Sequence, residues 1–315
     1  MKSYGVQIEP QFGFTFEEIK NIVQYAEEIG WTHAWFSDHF MLTAESIKQN
    51  SFECIMAMTA ATSYTQKLRI GPLVLSNSYR YPAVLAKQIA CLDHYSKGRI
   101  EFGIGAGWKE LEYDAYGIEF PSAGVRIKQL EESLQIYKKL WTEEKTNFEG
   151  EYYQIKDAVA APKPYQKPHP TIWIGLGQGK PKMTKLAAKY AEGINYVWAI
   201  PPEELKEKFN EFDEIVKELG RDPSKIKKSY GAWTDIFEDE EAKKEAIKNA
   251  AEERKVPVEA VEENMKRALV GTKEEIIEKL KGYKDLNLDH FIIMFPYQKE
   301  LEQMKIFNDE ILPKV

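Results

Sequence analysis

The stretch Arg99-Ile100-Glu101-Phe102-Gly103-Ile104-Gly105-Ala106-Gly107 decides between two architectures. It reads as a strand that ends in small residues. A dinucleotide-binding doubly wound sheet would run from such a strand into G-x-G-x-x-G and a helix. Here the glycines are spaced by two, at 103, 105 and 107, and that spacing recurs at 175, 177 and 179. Neither turn fits the fingerprint. That weakens the doubly wound alternative and leaves a closed barrel of alternating strands and helices.

Working outward, the same alternation runs through the chain. Strands are expected at 4–9, 33–38, 68–75, 99–107, 171–176, 193–198, 229–237 and 290–295. The run at 68–75 is almost continuously apolar, as in strands covered on both faces. Pro72 within it offers no ladder donor, so a bulge or break is expected there. Between the strands, Thr15 with Glu18 and Thr272 with Glu275 form capping boxes that open helices. Ile19, Ile22, Val23, Ala26 and Ile29 recur at helical spacing, and Gly30 stops that helix. Helices are also expected at 51–66, 82–95, 110–116 and 124–141, with a long charged helical segment running to about Leu269. Residues 143–170 break the rhythm with a hairpin followed by a proline-rich extended stretch, and read as an insertion. Eight strands alternating with helices make a (β/α)8 TIM barrel, one domain over residues 1–315.

Composition narrows the function. The 315 residues are 43% hydrophobic and carry a net charge of −7, which disfavours nucleic acid or an anionic membrane as partner. No apolar run is long enough to span a bilayer, and the N-terminus enters a strand without a signal-peptide core. Cys54 and Cys91 are the only cysteines and sit in expected helices. They read as two reduced, half-buried thiols of a cytoplasmic protein.

In a barrel the strand ends share one rim. Four of them carry chemistry: Ser37-Asp38-His39, Leu75-Ser76-Asn77-Ser78, Gly105-Ala106-Gly107-Trp108 and Gly175-Leu176-Gly177-Gln178-Gly179. His39 can exchange a proton near neutral pH. Taken alone, Asp38-His39 reads better as a loop acid capping a backbone amine beside a surface histidine, and the other strand ends change that balance. The glycines permit close approach of a ligand, and the amines of residues 177–180 ahead of a helix suit a phosphate. The alternative is that small residues merely relieve crowding at the strand ends. His33, His94, His169 and His290 lie elsewhere, and no H-x-H or H-E-x-x-H occurs, so no catalytic metal is expected. No lysine at a strand end suits a Schiff base. Lys180 begins a helix.

Several motifs resemble the bacterial-luciferase-like family of flavin and deazaflavin oxidoreductases. They are Trp35-Phe36-Ser37-Asp38-His39, Pro82-Ala83-Val84-Leu85-Ala86-Lys87, Gly98 through Trp108, Glu112-Tyr113-Asp114-Ala115-Tyr116-Gly117-Ile118, and Pro162-Lys163-Pro164-Tyr165-Gln166-Lys167-Pro168. The Gly-Trp and Tyr-Gly-Ile forms resemble the branch that uses coenzyme F420, a 5-deazaflavin. The resemblance implies hydride transfer between F420 and a small organic molecule. His39 would handle the accompanying proton, oriented by Asp38. Leu73-Val74 matches a non-proline cis peptide in a strand-3 bulge that backs the ring. Ser76, Gly105, Ala106, Gly107, Trp108, Gly175, Leu176, Gly177, Gln178 and Gly179 match cofactor-contacting stretches. An FMN-dependent monooxygenase is the alternative, and a non-catalytic flavin-binding relative is another. Homodimers through the helices after strands 2 and 3 are common in the family, and Ala57, Ala60, Ala61 and Ala86 would permit close packing there or against the barrel itself. Sugar-phosphate dehydrogenases of the family place a glutamate directly after the strand-4 glycine. Trp108 stands there instead, with Glu110 two residues on, so that activity is not carried over.

Overall fold

Thr15 opens the first helix because its hydroxyl accepts from the Glu18 amide while the Glu18 carboxylate takes the Thr15 amide at 2.7 Å. The same reciprocal cap forms at Thr272 and Glu275. The computed structural model, which describes residues 1–315, places these helices in a regular alternation. In chain order the elements are β1 (Tyr4–Ile8), α1 (Phe16–Glu28), β2 (His33–Phe36), α2 (Cys54–Tyr64), β3 (Arg69–Pro72), β4 (Leu75–Ser76), α3 (Pro82–Tyr95), β5 (Phe102–Gly105), α4 (Glu110–Tyr116) and α5 (Ala123–Thr142). There follow β6 (Thr146–Glu149), β7 (Gln154–Ala158), β8 (Ile172–Gly177), α6 (Pro181–Tyr190), β9 (Gly193–Val197), α7 (Pro202–Glu218), β10 (Lys227–Phe237), α8 (Glu240–Arg254), α9 (Val258–Arg267), β11 (Leu269–Thr272), α10 (Lys273–Lys284), β12 (His290–Met294) and α11 (Glu300–Ile306).

The sheet runs β3-β2-β1-β12-β10-β9-β8-β5-β4 and every pairing along it is parallel. β3 and β4 stand at opposite ends of that path, yet they are the two halves of one strand interrupted after Pro72. A parallel bridge between Ile70 and Ile100 joins the lower half to the next strand. The result is an eight-position barrel, as the alternation of elements predicts. The break falls at Pro72, where the missing ladder donor puts it. β6 and β7 form the expected antiparallel hairpin of the insertion.

Three details differ from the sequence reading. The charged segment before Leu269 is two helices, broken where Lys255 takes a left-handed conformation (φ 53°) ahead of Pro257. The residues after it form β11, an extra strand that pairs with the outer half of β10 from Thr234 to Phe237. The two thiols are not alike: Cys54 is buried at the start of α2 and Cys91 is exposed on α3. Ala57, Ala61 and Ala86 are fully buried in the main core, so their small size serves packing against the barrel. No helix is long and apolar enough to cross a membrane.

The N-terminal end of the barrel is sealed by a polar and aromatic layer. The Trp173 indole donates to Glu101 at 2.7 Å, and Arg69 donates to the same carboxylate at 2.5 Å. The Trp35 indole donates to His290 Nε2 at 2.8 Å, which puts the imidazole proton on Nδ1, facing Ser3 Oγ at 2.8 Å. A charged imidazolium would leave the Trp35 N–H without its acceptor. Burial holds the pKa of His290 well below the ordinary histidine value and lowers that of His33 beside it. The unfolded chain therefore takes up these protons first as pH falls. Their contribution is intact above about pH 6.5 and shrinks below it, by up to ~1.4 kcal/mol per pH unit for each group. Burial pushes the Glu300 carboxyl up to about 7, which acts in the opposite sense over the same range, so the test uses Glu300→Gln: its urea midpoint should drop between pH 7.5 and 5.5. Equal midpoints at the two pH values would contradict this account of the floor.

Candidate active site

The strand ends converge at the other end. A cavity of about 530 Å³ opens there, lined from strand 1 by Glu9 and Gln11 and from the end of β2 by Ser37, Asp38, His39 and Leu42. The broken strand adds Leu73, Val74, Leu75, Ser76 and Tyr79, and the end of β5 adds Gly105, Ala106, Gly107, Trp108 and Lys109. Gly175, Leu176 and Gly177 of β8, Met183 of α6, and Asn195, Val197 and Trp198 around β9 complete the wall. A chamber of this size, half apolar and with a few convergent polar groups, is of the kind that holds small molecules. No three His, Cys, Asp or Glu side chains cluster as metal ligands.

His39 is held by Glu112. Its Nδ1 lies 2.8 Å from Glu112 Oε2, which leaves Nε2 as the nitrogen available to a bound molecule. α4 carries Glu112 inward, with a side chain that is 0% exposed. Besides His39, this carboxylate accepts from the Tyr79 hydroxyl at 2.7 Å, the amides of Phe40 and Met41 at 2.8 and 3.1 Å, and the Lys109 ammonium at 3.4 Å. Burial raises its pKa, but the donors from His39, Tyr79 and the backbone outweigh burial and hold it at about 2. A permanent anion thus fixes the ring and the 40–41 backbone together.

Asp38 does not orient the histidine. Its carboxylate takes the Ser76 amide at 2.9 Å and both Arg80 terminal nitrogens, at 2.7 and 2.8 Å. Arg80 also contacts Glu53. Burial would lower the Arg80 pKa, and the Asp38 charge more than reverses this. The pair is a bidentate, nearly buried bridge that anchors the end of the broken strand to β2. The acidic neighbour of the family motif is present, with a bracing role, and the orienting carboxylate comes from 73 residues further on.

The peptide Leu73-Val74 is cis, as the resemblance implies. The Val74 side chain sits where a methyl group on Gly105 or on Gly175 would stand 2.9 Å from it, and a Cβ on Gly103 would collide with the Pro72 carbonyl. These three glycines make room for the bulge itself, the crowding explanation rather than approach to a ligand. Gly107 differs, with φ +76° and the hydroxyls of Tyr113 and Ser76 where a Cβ would go. Gly177, at φ +58°, faces open space. Gln178 and Gly179 do not line the cavity. The Gln178 amide donates to the Val197 and Trp198 carbonyls, and Gly179 packs against Tyr196. Trp108 stands at the mouth, 71% exposed, edge-on to His39 with ring centres 5.6 Å apart. Glu110 opens α4 on the exposed side, away from the cavity.

The strand-end rule brought His39, Leu73, Val74, Ser76, residues 105–108 and residues 175–177 to one wall. Applied to strands 1 and 6 as well, it would have found Glu9 and Trp198, while Asn195 lies mid-strand in β9. Glu112 and Tyr79 lie on no strand end; Glu112 opens one of the quoted motifs, but nothing local in the sequence marks it as the partner of His39.

A family model described as luciferase-like monooxygenase matches residues 3–290. The chain belongs to this family. Among curated members it is similar to the F420-dependent glucose-6-phosphate dehydrogenase of Amycolatopsis mediterranei (strain U-32), at 27% identity over 94% of each chain. Among solved structures it is similar to an F420-dependent secondary alcohol dehydrogenase in complex with an F420-acetone adduct, with TM-score 0.84 and 24% identity over 100% of this chain and 99% of that one. A monooxygenase from Streptomyces bottropensis matches with TM-score 0.79 and 22% identity over 99% of both chains. At these identities the structural matches speak for the fold. The luciferase-like family thus supplies the barrel, and the functional question passes to the cavity.

Proposed function

We propose that this luciferase-like protein is an F420-dependent oxidoreductase acting on a small organic molecule. The observation that carries the reading is His39, fixed by Glu112, lining the same chamber as the Leu73-Val74 bulge. The fit of a planar tricyclic ring rests on that chamber: Leu73, Val74, Ala106 and Leu176 give apolar wall, and Ser76 and Asn195 give polar edges. When bound, F420 would exchange a hydride at its central ring carbon. The protein's share is the rest. Nε2 of His39 takes or gives the proton that accompanies the hydride, while Glu112 stabilises the imidazolium and keeps its plane fixed. Asp38 and Arg80 hold the strand-3 end in position.

Titrating the purified chain with F420 and with FMN tests the reading. Saturable binding of F420 at micromolar concentration, about ten-fold or more tighter than FMN, is expected. A second reading, an FMN-dependent monooxygenase, has in its favour the family description and the similar Streptomyces bottropensis structure. Oxygen uptake with reduced FMN, and none of the F420 binding, would establish that alternative. We also propose a homodimer through the outer faces of α2 and α3, where Met56, Val84 and Tyr95 are exposed. Sedimentation equilibrium should give twice the monomer mass, and Val84→Glu should shift it toward the monomer. Its free thiols fit a reducing cytoplasm, which fractionation of cells producing the protein would check.

A further inference from the structure

We infer that the substrate is an uncharged molecule whose aromatic or alicyclic face lies on Trp108. The inference rests on the F420 reading for its place in the reaction, but not for its binding chemistry. Trp108 lines the mouth and is left 71% exposed, against His39. An indole exposed to that extent beside the His39 ring is open to contact by a molecule that reaches Nε2. Leu42 and Trp198 continue the apolar wall on either side.

The charges of the cavity point the same way. Its only lysine, Lys109, donates to the carbonyls of Met41 and Leu42 at 2.5 and 2.9 Å and faces Glu112. His39 is likewise satisfied by Glu112. The Glu9 carboxylate, by contrast, accepts only from the side-chain amides of Gln7 and Gln11, at 2.7 and 2.5 Å, and has no cationic partner. The lining therefore presents an uncompensated anion and no free cation. A phosphate or carboxylate on a substrate that reaches His39 would lose its hydration and find no free cation among the lining side chains. This separates the chain from a sugar-phosphate dehydrogenase, the activity named for its curated relatives.

The test uses matched probes, benzyl alcohol and benzyl phosphate, with glucose 6-phosphate as a third. Binding is measured by saturation-transfer NMR and calorimetry on the protein alone and on the protein saturated with oxidised F420. Benzyl alcohol is expected to bind about ten-fold or more tighter than benzyl phosphate. Trp108→Ala should weaken benzyl alcohol by about ten-fold while Trp108→Phe retains it. Glu9→Gln should narrow the gap between alcohol and phosphate. Millimolar or tighter binding of glucose 6-phosphate, equal binding of the matched pair, or indifference to Trp108→Ala would each overturn the inference. Because the probes are scored without cofactor as well, a failure of F420 to bind would count against the proposed function alone.

Discussion

His39→Ala is expected to lower turnover by about 10²- to 10⁴-fold while leaving F420 affinity within a few-fold of the parent. The size follows from the work assigned to one nitrogen. Glu112 occupies Nδ1, which leaves Nε2 as the nitrogen to which the proposed function assigns proton exchange. The fold should survive, because His39 lies at a strand end beside the cavity and belongs to no core cluster. F420 titration of the variant separates loss of chemistry from loss of binding. Added imidazole should restore part of the rate. Full turnover in His39→Ala would remove the histidine from the mechanism, whatever the cofactor.

Glu112→Gln is the second large effect. The amide keeps the size of the carboxylate but not its charge, and it turns one of two acceptor oxygens into a donor. Either the contacts to His39 and Tyr79, which share Oε2, or those to the 40–41 amides and Lys109, which share Oε1, must then be lost. Turnover should fall by about 10²-fold or more, because the imidazole is left in the wrong tautomer or rotated out of line. Nitrogen NMR of labelled His39 should show the proton redistributed between Nδ1 and Nε2. Unchanged shifts together with unchanged turnover would show that the ring is oriented by something else. Glu112→Ala should go further and destabilise the protein by ~3–5 kcal/mol, as expected when one member of a buried charged cluster is removed. Chemical denaturation reads that difference directly.

The two variants also divide the site into what could be read locally and what could not. The Asp38-His39 pair was legible as chemistry because it follows a strand, and strand ends in a barrel meet at one mouth. Its internal logic was not. Adjacency in the chain made Asp38 the apparent partner of His39, but both side chains find their partners across the fold. Asp38 turns toward Arg80, 42 residues on, and His39 toward Glu112. Likewise the spacing of glycines 103, 105 and 175 was legible, while its cause, the Val74 side chain and the Pro72 carbonyl of a neighbouring strand, was not.

What the sequence alone determined was therefore the set of elements and their order. Apolar periodicity, capping boxes and the ladder-breaking Pro72 act over a few residues, and each produced the strand, helix or break it implied. The four rim segments followed from that order, since a closed parallel barrel brings every strand end to one face. Only the tertiary structure decided the pairing of charges and the shape of the chamber. Those depend on which side chains meet across strands and on α4, at separations of 30 to 70 residues, where a carboxylate chooses among donors by distance and burial and not by position along the chain.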